Sequence, residues 1–365
     1  MRFTSGIPSF LVAIGIGLVG CRGPANESVD RHVARLLAEY AGAGQPGACV
    51  LARHAGAVVY RRCVGLAEVE TGRAATPETN FRLASVTKQF TATAVLLLVA
   101  DGRFAPTTPL RAVFPDFLPW ADDVTVHHLL THTSGLVDYE DVMPPDDNRQ
   151  ITDAGVRALL RAQDSTYFAP GSAFRYSNSG YALLAQIVEA VSGEGFSPYL
   201  DRRIFAPLGM TGTVAHVDGE TSVAHRAYGY SRQDDGSWTR TDQSSTSAVL
   251  GDGGIYTSLR DLDRWLGVVE GRDTLLPAAL AAAVFTPATP GQREGEHYGY
   301  GWFLDQAGER RRFRHEGSTI GFRNAVQRFP DDDLTVVLLT NRNEIAPELV
   351  DSLVAAVREG LRKAP

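Results

Sequence analysis

Ser85-Val86-Thr87-Lys88-Gln89-Phe90-Thr91-Ala92-Thr93-Ala94-Val95-Leu96-Leu97-Leu98-Val99-Ala100 is the stretch that decides how this chain is read. After Lys88 no charge occurs until Asp101, and small or apolar residues cover every face. Such a run predicts a helix buried on all sides rather than an amphipathic surface helix. Asp101-Gly102 closes it, with Gly102 suited to the left-handed residue after a helix end. A hydroxyl and an amine stand three residues apart at the polar end, on one helix face. The unpaired N–H groups and positive dipole end there favour negative charge developing on a serine. An amine in so apolar a setting has its charged form disfavoured, which suits it to accept a proton.

S-x-x-K is the arrangement of serine acyl enzymes. Alone it also occurs as a helix cap followed by a surface lysine, so the surroundings must decide. A serine nucleophile needs a proton acceptor, a donor to the leaving group and a site for the oxyanion. Tyr176-Ser177-Asn178 lies in a loop just before a predicted helix. A phenol near a cation can shuttle a proton, and Asn178 offers both an acceptor and donors to a substrate amide. Arg314-His315-Glu316-Gly317-Ser318-Thr319 reads as a strand beside the site. There Gly317 lets a substrate backbone approach closely, and His315 could bind or polarise a leaving group or carboxylate. The backbone N–H groups of Ser85 and Ser318 are the natural oxyanion donors.

These three elements, in this order, resemble the penicillin-recognising serine hydrolases: class C β-lactamases, related DD-peptidases, and esterases of the same fold. Leu129–Leu136, Ala206–Met210, Gly251–Ser258, Tyr298–Trp302 and Leu338–Arg342 resemble the same family, so the likeness covers about residues 30–345. It implies Ser85 as nucleophile, Lys88 and Tyr176 as acid and base, and a substrate site at Asn178, His315, Gly317 and Ser318. The third motif departs from class C β-lactamases, which carry Lys-Thr-Gly where this chain has His315-Glu316-Gly317. That weakens the expectation of efficient β-lactam hydrolysis. A histidine's charge would also vary near neutral pH, unlike a lysine's.

The rest of the chain supplies a frame for this site. Val29, Val33, Leu36, Leu37 and Tyr40 are spaced for one helix face, and a β-hairpin follows at Ala48–Arg53 and Ala57–Gly65. Cys49 and Cys63 fall near-opposite or on different faces depending on the turn, so a disulfide and two buried thiols both stay open. Residues from about 124 to 249 read as helices and loops, with Asp138–Asp147 an acidic, solvent-facing loop and Asp234–Ser247 a polar loop. Strands return at Tyr298–Leu304, Arg311–His315, Asn324–Phe329 and Leu334–Leu339, before a last helix opened by Pro347. The expected fold is α/β of the α+β type: one antiparallel sheet built from both chain ends, flanked by N- and C-terminal helices, with an all-helical insertion. The expected divisions are 21–115, 116–249 and 250–365.

Composition bounds the partners. The 365 residues are 44% apolar and 21% charged, with a net charge of −7. This fits an ordinary globular protein and argues against nucleic acid; the resemblance implies a small-molecule or peptide substrate, such as a peptidoglycan stem peptide, an ester or a β-lactam. His127, His128 and His132 lack the acidic partners of a metal site, so neither metal nor organic cofactor is expected. Residues 1–20 read as a signal peptide, with Arg2 ahead of the apolar run Leu11–Val19. Leu18-Val19-Gly20-Cys21 resembles a bacterial lipoprotein box. That implies a Cys21 acylated after export, and a protein tethered to a membrane at the periplasmic or cell surface. An ordinary secretory signal is the alternative. Arg323 and Arg342 are candidates to hold a substrate carboxylate. A penicillin-capturing sensor or a non-catalytic envelope lipoprotein is the rival to an enzyme on the same fold.

Overall fold

The computed structural model describes residues 24–144 and 149–363. The expected leader and Cys21 lie outside them. Eight strands form one antiparallel sheet, in the spatial order Thr289–Pro290, His297–Tyr298, Phe303–Ala307, Arg310–Thr319, Phe322–Phe329, Leu334–Thr340, Ala48–His54 and Ala57–Val64. The two ends of the chain meet between its sixth and seventh strands, where Ala48 pairs with Thr340 and His54 with Leu334. Every residue of Leu334–Thr340 is buried, which is why it reads as one continuous apolar run.

Alternation sorts these residues onto two faces. Ala48, Val50, Ala52, Leu334, Val336 and Leu338 pack with Val29, Val33, Leu353 and Val357 of the terminal helices Pro24–Leu36 and Leu349–Arg362. Cys49, Leu51, Val337 and Leu339 face the other way, into a core shared with the helical middle of the chain. That core surrounds the helix Lys88–Ala100, buried from Lys88 to Leu98. The helix Asn178–Ser192 packs against it, ended by Gly193 in the left-handed conformation.

Cys49 and Cys63 sit directly opposite each other and form a disulfide. The turn Ala55-Gly56 has positive φ at both residues, as a two-residue hairpin of the primed type requires. Continued unbroken, that register would set Cys49 against Arg62. A bulge between Ala52 and Arg53 shifts the pairing by one and brings the cysteines together.

Several elements differ from expectation. Tyr230–Arg232 and Trp238–Arg240 form a hairpin in the stretch read as helices and loops, its second strand inside the segment read as a polar loop. Leu259–Val269 and Ala278–Val284 are helices; the first is capped by Ser258, whose side chain accepts the Asp261 N–H. The final helix starts at Leu349, two residues beyond Pro347. Asp331, Asp332 and Asp333 link the turn after Phe329 to the neighbouring strands. They pair with Arg311, Arg310 and Arg328 respectively, and so tie the sheet's hairpins together.

Candidate active site

Ser85 lies in the 3-10 turn Ala84–Thr87 that leads into the buried helix. Two strands from different sheets hold this turn, Phe322–Phe329 and Ile255–Thr257. Asn324 Nδ2 donates to the Arg82 carbonyl at 2.8 Å, and the Leu83 N–H donates to the Ile255 carbonyl at 2.8 Å. Ala84 is held at φ +50, a left-handed conformation costing an alanine about 1 kcal/mol or more. Ser85 itself stays partly exposed, so its hydroxyl is reachable.

Lys88 is fully buried, yet its amine has three oxygen partners. Nζ lies 3.2 Å from Ser85 Oγ, 2.8 Å from Asn178 Oδ1 and 3.0 Å from the Asp252 carbonyl. All three are neutral oxygens. A neutral amine has two N–H groups and one lone pair. The charged amine donates one N–H to each of the three oxygens; a neutral amine that kept its N–H groups on Asn178 and Asp252 would turn its lone pair to the serine hydroxyl. After transfer, all three N–H bonds have acceptors.

The Tyr176 ring lies over this amine, 5.0 Å from Nζ to the centroid, with Tyr181 at 5.4 Å. Hydroxyl, amine and phenol therefore converge. Among the described residues the buried Tyr176 hydroxyl has no hydrogen-bond partner, a state that costs about 1–3 kcal/mol until a substrate or water supplies one. His132 positions the ring. It packs against it at 4.3 Å between centroids, tilted by 34°, and its Nδ1 accepts the Ser177 N–H at 3.1 Å, beside the start of the helix Asn178–Ser192. Burial, then the Lys88 charge, holds His132 well below its usual range. His128 accepts the Thr125 N–H at its helix start, and His127 pairs with the Tyr300 hydroxyl.

The third motif needs two corrections. His315 is not a group whose charge varies near neutral pH. Burial, then the Lys88 charge, pushes its pKa down to about 3. Its ring is committed as well: Nδ1–H donates to the Glu316 carbonyl at 2.7 Å, so Nε2 accepts from the Tyr298 hydroxyl at 3.2 Å. A neutral histidine with both nitrogens occupied forms the wall of the site and supplies no cation. Gly317 has a different reason than substrate approach. A Cβ there would stand 2.0 Å from the Leu83 carbonyl oxygen, so the glycine admits the chain's own nucleophile turn. Ser318, the next residue, is exposed. It lies beyond the last pairing of its strand with Phe303–Ala307, which ends at Arg314, so one edge of the strand is open beside Ser85.

Asn178 has three partners. Besides Lys88, its Nδ2 donates to Glu140 Oε1 at 2.9 Å and its backbone N–H to Asp138 Oδ2 at 3.0 Å. Residues Asp138–Val142 thus belong to the site, not to a loop apart from it. Tyr139 reaches inward, its hydroxyl donating to Asp252 Oδ2 at 3.1 Å. Burial raises the Asp252 pKa to about 6, with Lys88 pulling the other way. Arg342 does not serve a substrate carboxylate. It is buried against Tyr40 and Trp238, bound to the Pro46 carbonyl and Glu39. Arg323 donates to the Thr319 and Phe322 carbonyls at the tip of its hairpin. An apolar cavity of about 290 Å³ lined by Thr93, Trp265 and Trp302 includes none of the site residues.

A serine faces a buried amine, under a phenol ring and beside an open strand edge, an arrangement suited to acyl transfer. Residues 29–357 match the family model described as Beta-lactamase, and the chain belongs to that family. It is 30% identical over 332 residues to Penicillin-binding protein 4* of Bacillus subtilis (strain 168), covering 86% of this chain and 72% of that protein. It is 31% identical over 330 residues to Esterase EstB of Burkholderia gladioli, covering 71% of this chain and 82% of the esterase. Among solved structures it is similar to D-amino acid amidase from Ochrobactrum anthropi SV3 complexed with L-phenylalanine amide, with a TM-score of 0.75, 25% identity, and coverage of 93% and 98%. The chain is a serine hydrolase working through an acyl-enzyme.

Proposed function

We propose that this hydrolase cleaves small amides or esters whose acyl part carries a free ammonium next to the scissile carbonyl. One observation carries the reading: Glu140 holds the side-chain amide of Asn178 while Asn178 holds Lys88. With Oδ1 held by Lys88 and one Nδ2 N–H held by Glu140, Asn178 keeps a single N–H for the acyl oxygen of an N-acylated substrate. An exposed carboxylate one step from the amine instead presents a charge-assisted acceptor for an ammonium. The neutral His315 fits the same reading, because it supplies no cation for the carboxylate of a β-lactam. An esterase and an amino-acid amidase among the similar proteins support it.

In this mechanism Lys88 takes the Ser85 proton as the hydroxyl oxygen attacks the carbonyl carbon. The oxyanion rests on the backbone N–H groups of Ser85 and Ser318. Tyr176 protonates the departing amine or alcohol, then draws a proton from the water that cleaves the ester to Ser85. We further propose that the chain is exported and tethered through an acylated Cys21, on the strength of its leader. Mass spectrometry of the mature N-terminus from the native host tests this, and an unmodified Cys21 would contradict it.

The substrate test uses D-alanine p-nitroanilide beside its N-acetyl derivative, with the L-series as controls. The free amine should be favoured about tenfold or more in kcat/KM. Glu140→Gln should remove most of that preference while leaving the N-acetyl rate nearly unchanged. Better cleavage of the N-acetyl substrate, with no effect of Glu140→Gln, would overturn the assignment.

A further inference from the structure

The short helix Leu250–Gly253 stands between the helical middle of the chain and the nucleophile segment, and Val249 before it supplies no side-chain cap. The cap comes from elsewhere. Asp153 Oδ2 accepts the Leu250 N–H at 2.8 Å, and Oδ1 accepts the Gly251 N–H at 3.0 Å. On the opposite side, three consecutive carbonyls of the same turn meet three side chains of the nucleophile segment. Thr91 Oγ1 donates to Gly251 at 2.7 Å, Lys88 Nζ to Asp252 at 3.0 Å, and Arg82 Nε to Gly253 at 3.2 Å. One carboxylate therefore grips the turn by its N–H groups while the turn grips Lys88 by a carbonyl.

Asp153 is 6% exposed, and the acyl-transfer steps do not use it. Burial pushes its pKa up to about 8. Asp252 and Glu189 push the same way, and the two N–H groups pull against them. We infer that Asp153 is a positioning residue for the catalytic amine: by fixing the Leu250–Gly253 turn it sets the Asp252 carbonyl, and so aims Lys88 Nζ at Ser85 Oγ. The inference rests on Lys88 acting as the base.

The test measures pre-steady-state acylation by D-alanine p-nitrophenyl ester in the full chain and in Asp153→Asn, Asp153→Ala and Lys88→Ala variants. Asparagine keeps one acceptor but sets an NH2 group against the second N–H, whereas alanine removes both. Acylation should slow about 10-fold in Asp153→Asn and about 100-fold in Asp153→Ala, with KM within about threefold of wild type. Wild-type acylation in a folded Asp153→Asn protein, with only a lower Tm, would overturn the inference and leave an ordinary structural cap. If the Asp153 variants do not fold, Thr91→Val loosens the same turn from its other side. It should slow acylation about threefold or more, and an unchanged rate would overturn the inference. Wild-type acylation by Lys88→Ala would instead remove the base on which the inference rests. A dead Lys88→Ala beside an unaffected Asp153→Asn would count against the positioning role alone.

Discussion

The two faces of the central sheet follow opposite rules. On the outer face, Val50, Val336 and Leu338 meet Val33, Leu353 and Val357, an aliphatic filling that any well-packed domain could share. Around the nucleophile helix on the inner face, the fold buries an amine, two imidazoles and two carboxyls: Lys88, His132, His315, Asp153 and Asp252. It also holds Ala84 at φ +50. One face is assembled for stability. The other carries local departures from good folding practice, and those departures mark where chemistry is done.

Substitutions on the two faces should separate activity from stability. The largest effect belongs to the inner face. Ser85→Ala should cut turnover by about 10⁴-fold or more, with Tm nearly unchanged, since it removes one partly exposed hydroxyl. Steady-state kinetics beside a thermal melt would show the split, and retained turnover would break it. Leu353→Ala on the outer face should do the reverse. Removing a fully buried leucine costs about 2–5 kcal/mol of folding stability, while kcat per folded molecule stays at the wild-type level. Urea titration with activity measured below the transition checks this.

A smaller effect comes from the depressed histidines. His315 has a folded pKa of about 3, below the ordinary value near 6.5 that it regains on unfolding. As pH falls through 6.5 the unfolded chain takes up a proton that the folded chain refuses. Stability should therefore fall by about 1.4 kcal/mol per pH unit for this group as pH drops from about 6.5 toward 3. His132 acts in the same direction. His315→Gln should flatten the dependence in that window, as read from urea midpoints at several pH values. An unchanged slope would show that His315 titrates normally and that the inner face is wetter than its packing indicates.

Much of the frame was legible because its signals are local. The uncharged run after Lys88 announced a helix buried all round, and the alternating or continuous apolar runs announced strands. The Ser85–Lys88 pair was legible because i, i+3 spacing forces proximity on a helical turn. Other features depend on contacts between distant segments. The Cys49–Cys63 pairing turns on a bulge at Ala52/Arg53 that no composition signal marks. Glu140 read as part of a solvated acidic loop because its partner Asn178 lies 38 residues away. The same holds for Asp153, 97 residues before the N–H group it caps. Gly317 was noticed for the wrong reason: the backbone that needs its missing side chain is Leu83, on another segment. The helix Leu259–Val269 did carry a local signal, Ser258 followed three residues later by Asp261, which would have placed its start.

The most direct test of the account is to trap and map the acyl-enzyme. The full chain is mixed with D-alanine p-nitrophenyl ester, acid-quenched within the first turnover, digested and sequenced by mass spectrometry. The predicted result is one added acyl mass on the Ser85 peptide of the wild-type protein, nearly absent from Lys88→Ala at the same time point. An adduct on any other side chain, or equal acylation of Ser85 without Lys88, would contradict the claim that these two side chains form one acylating unit.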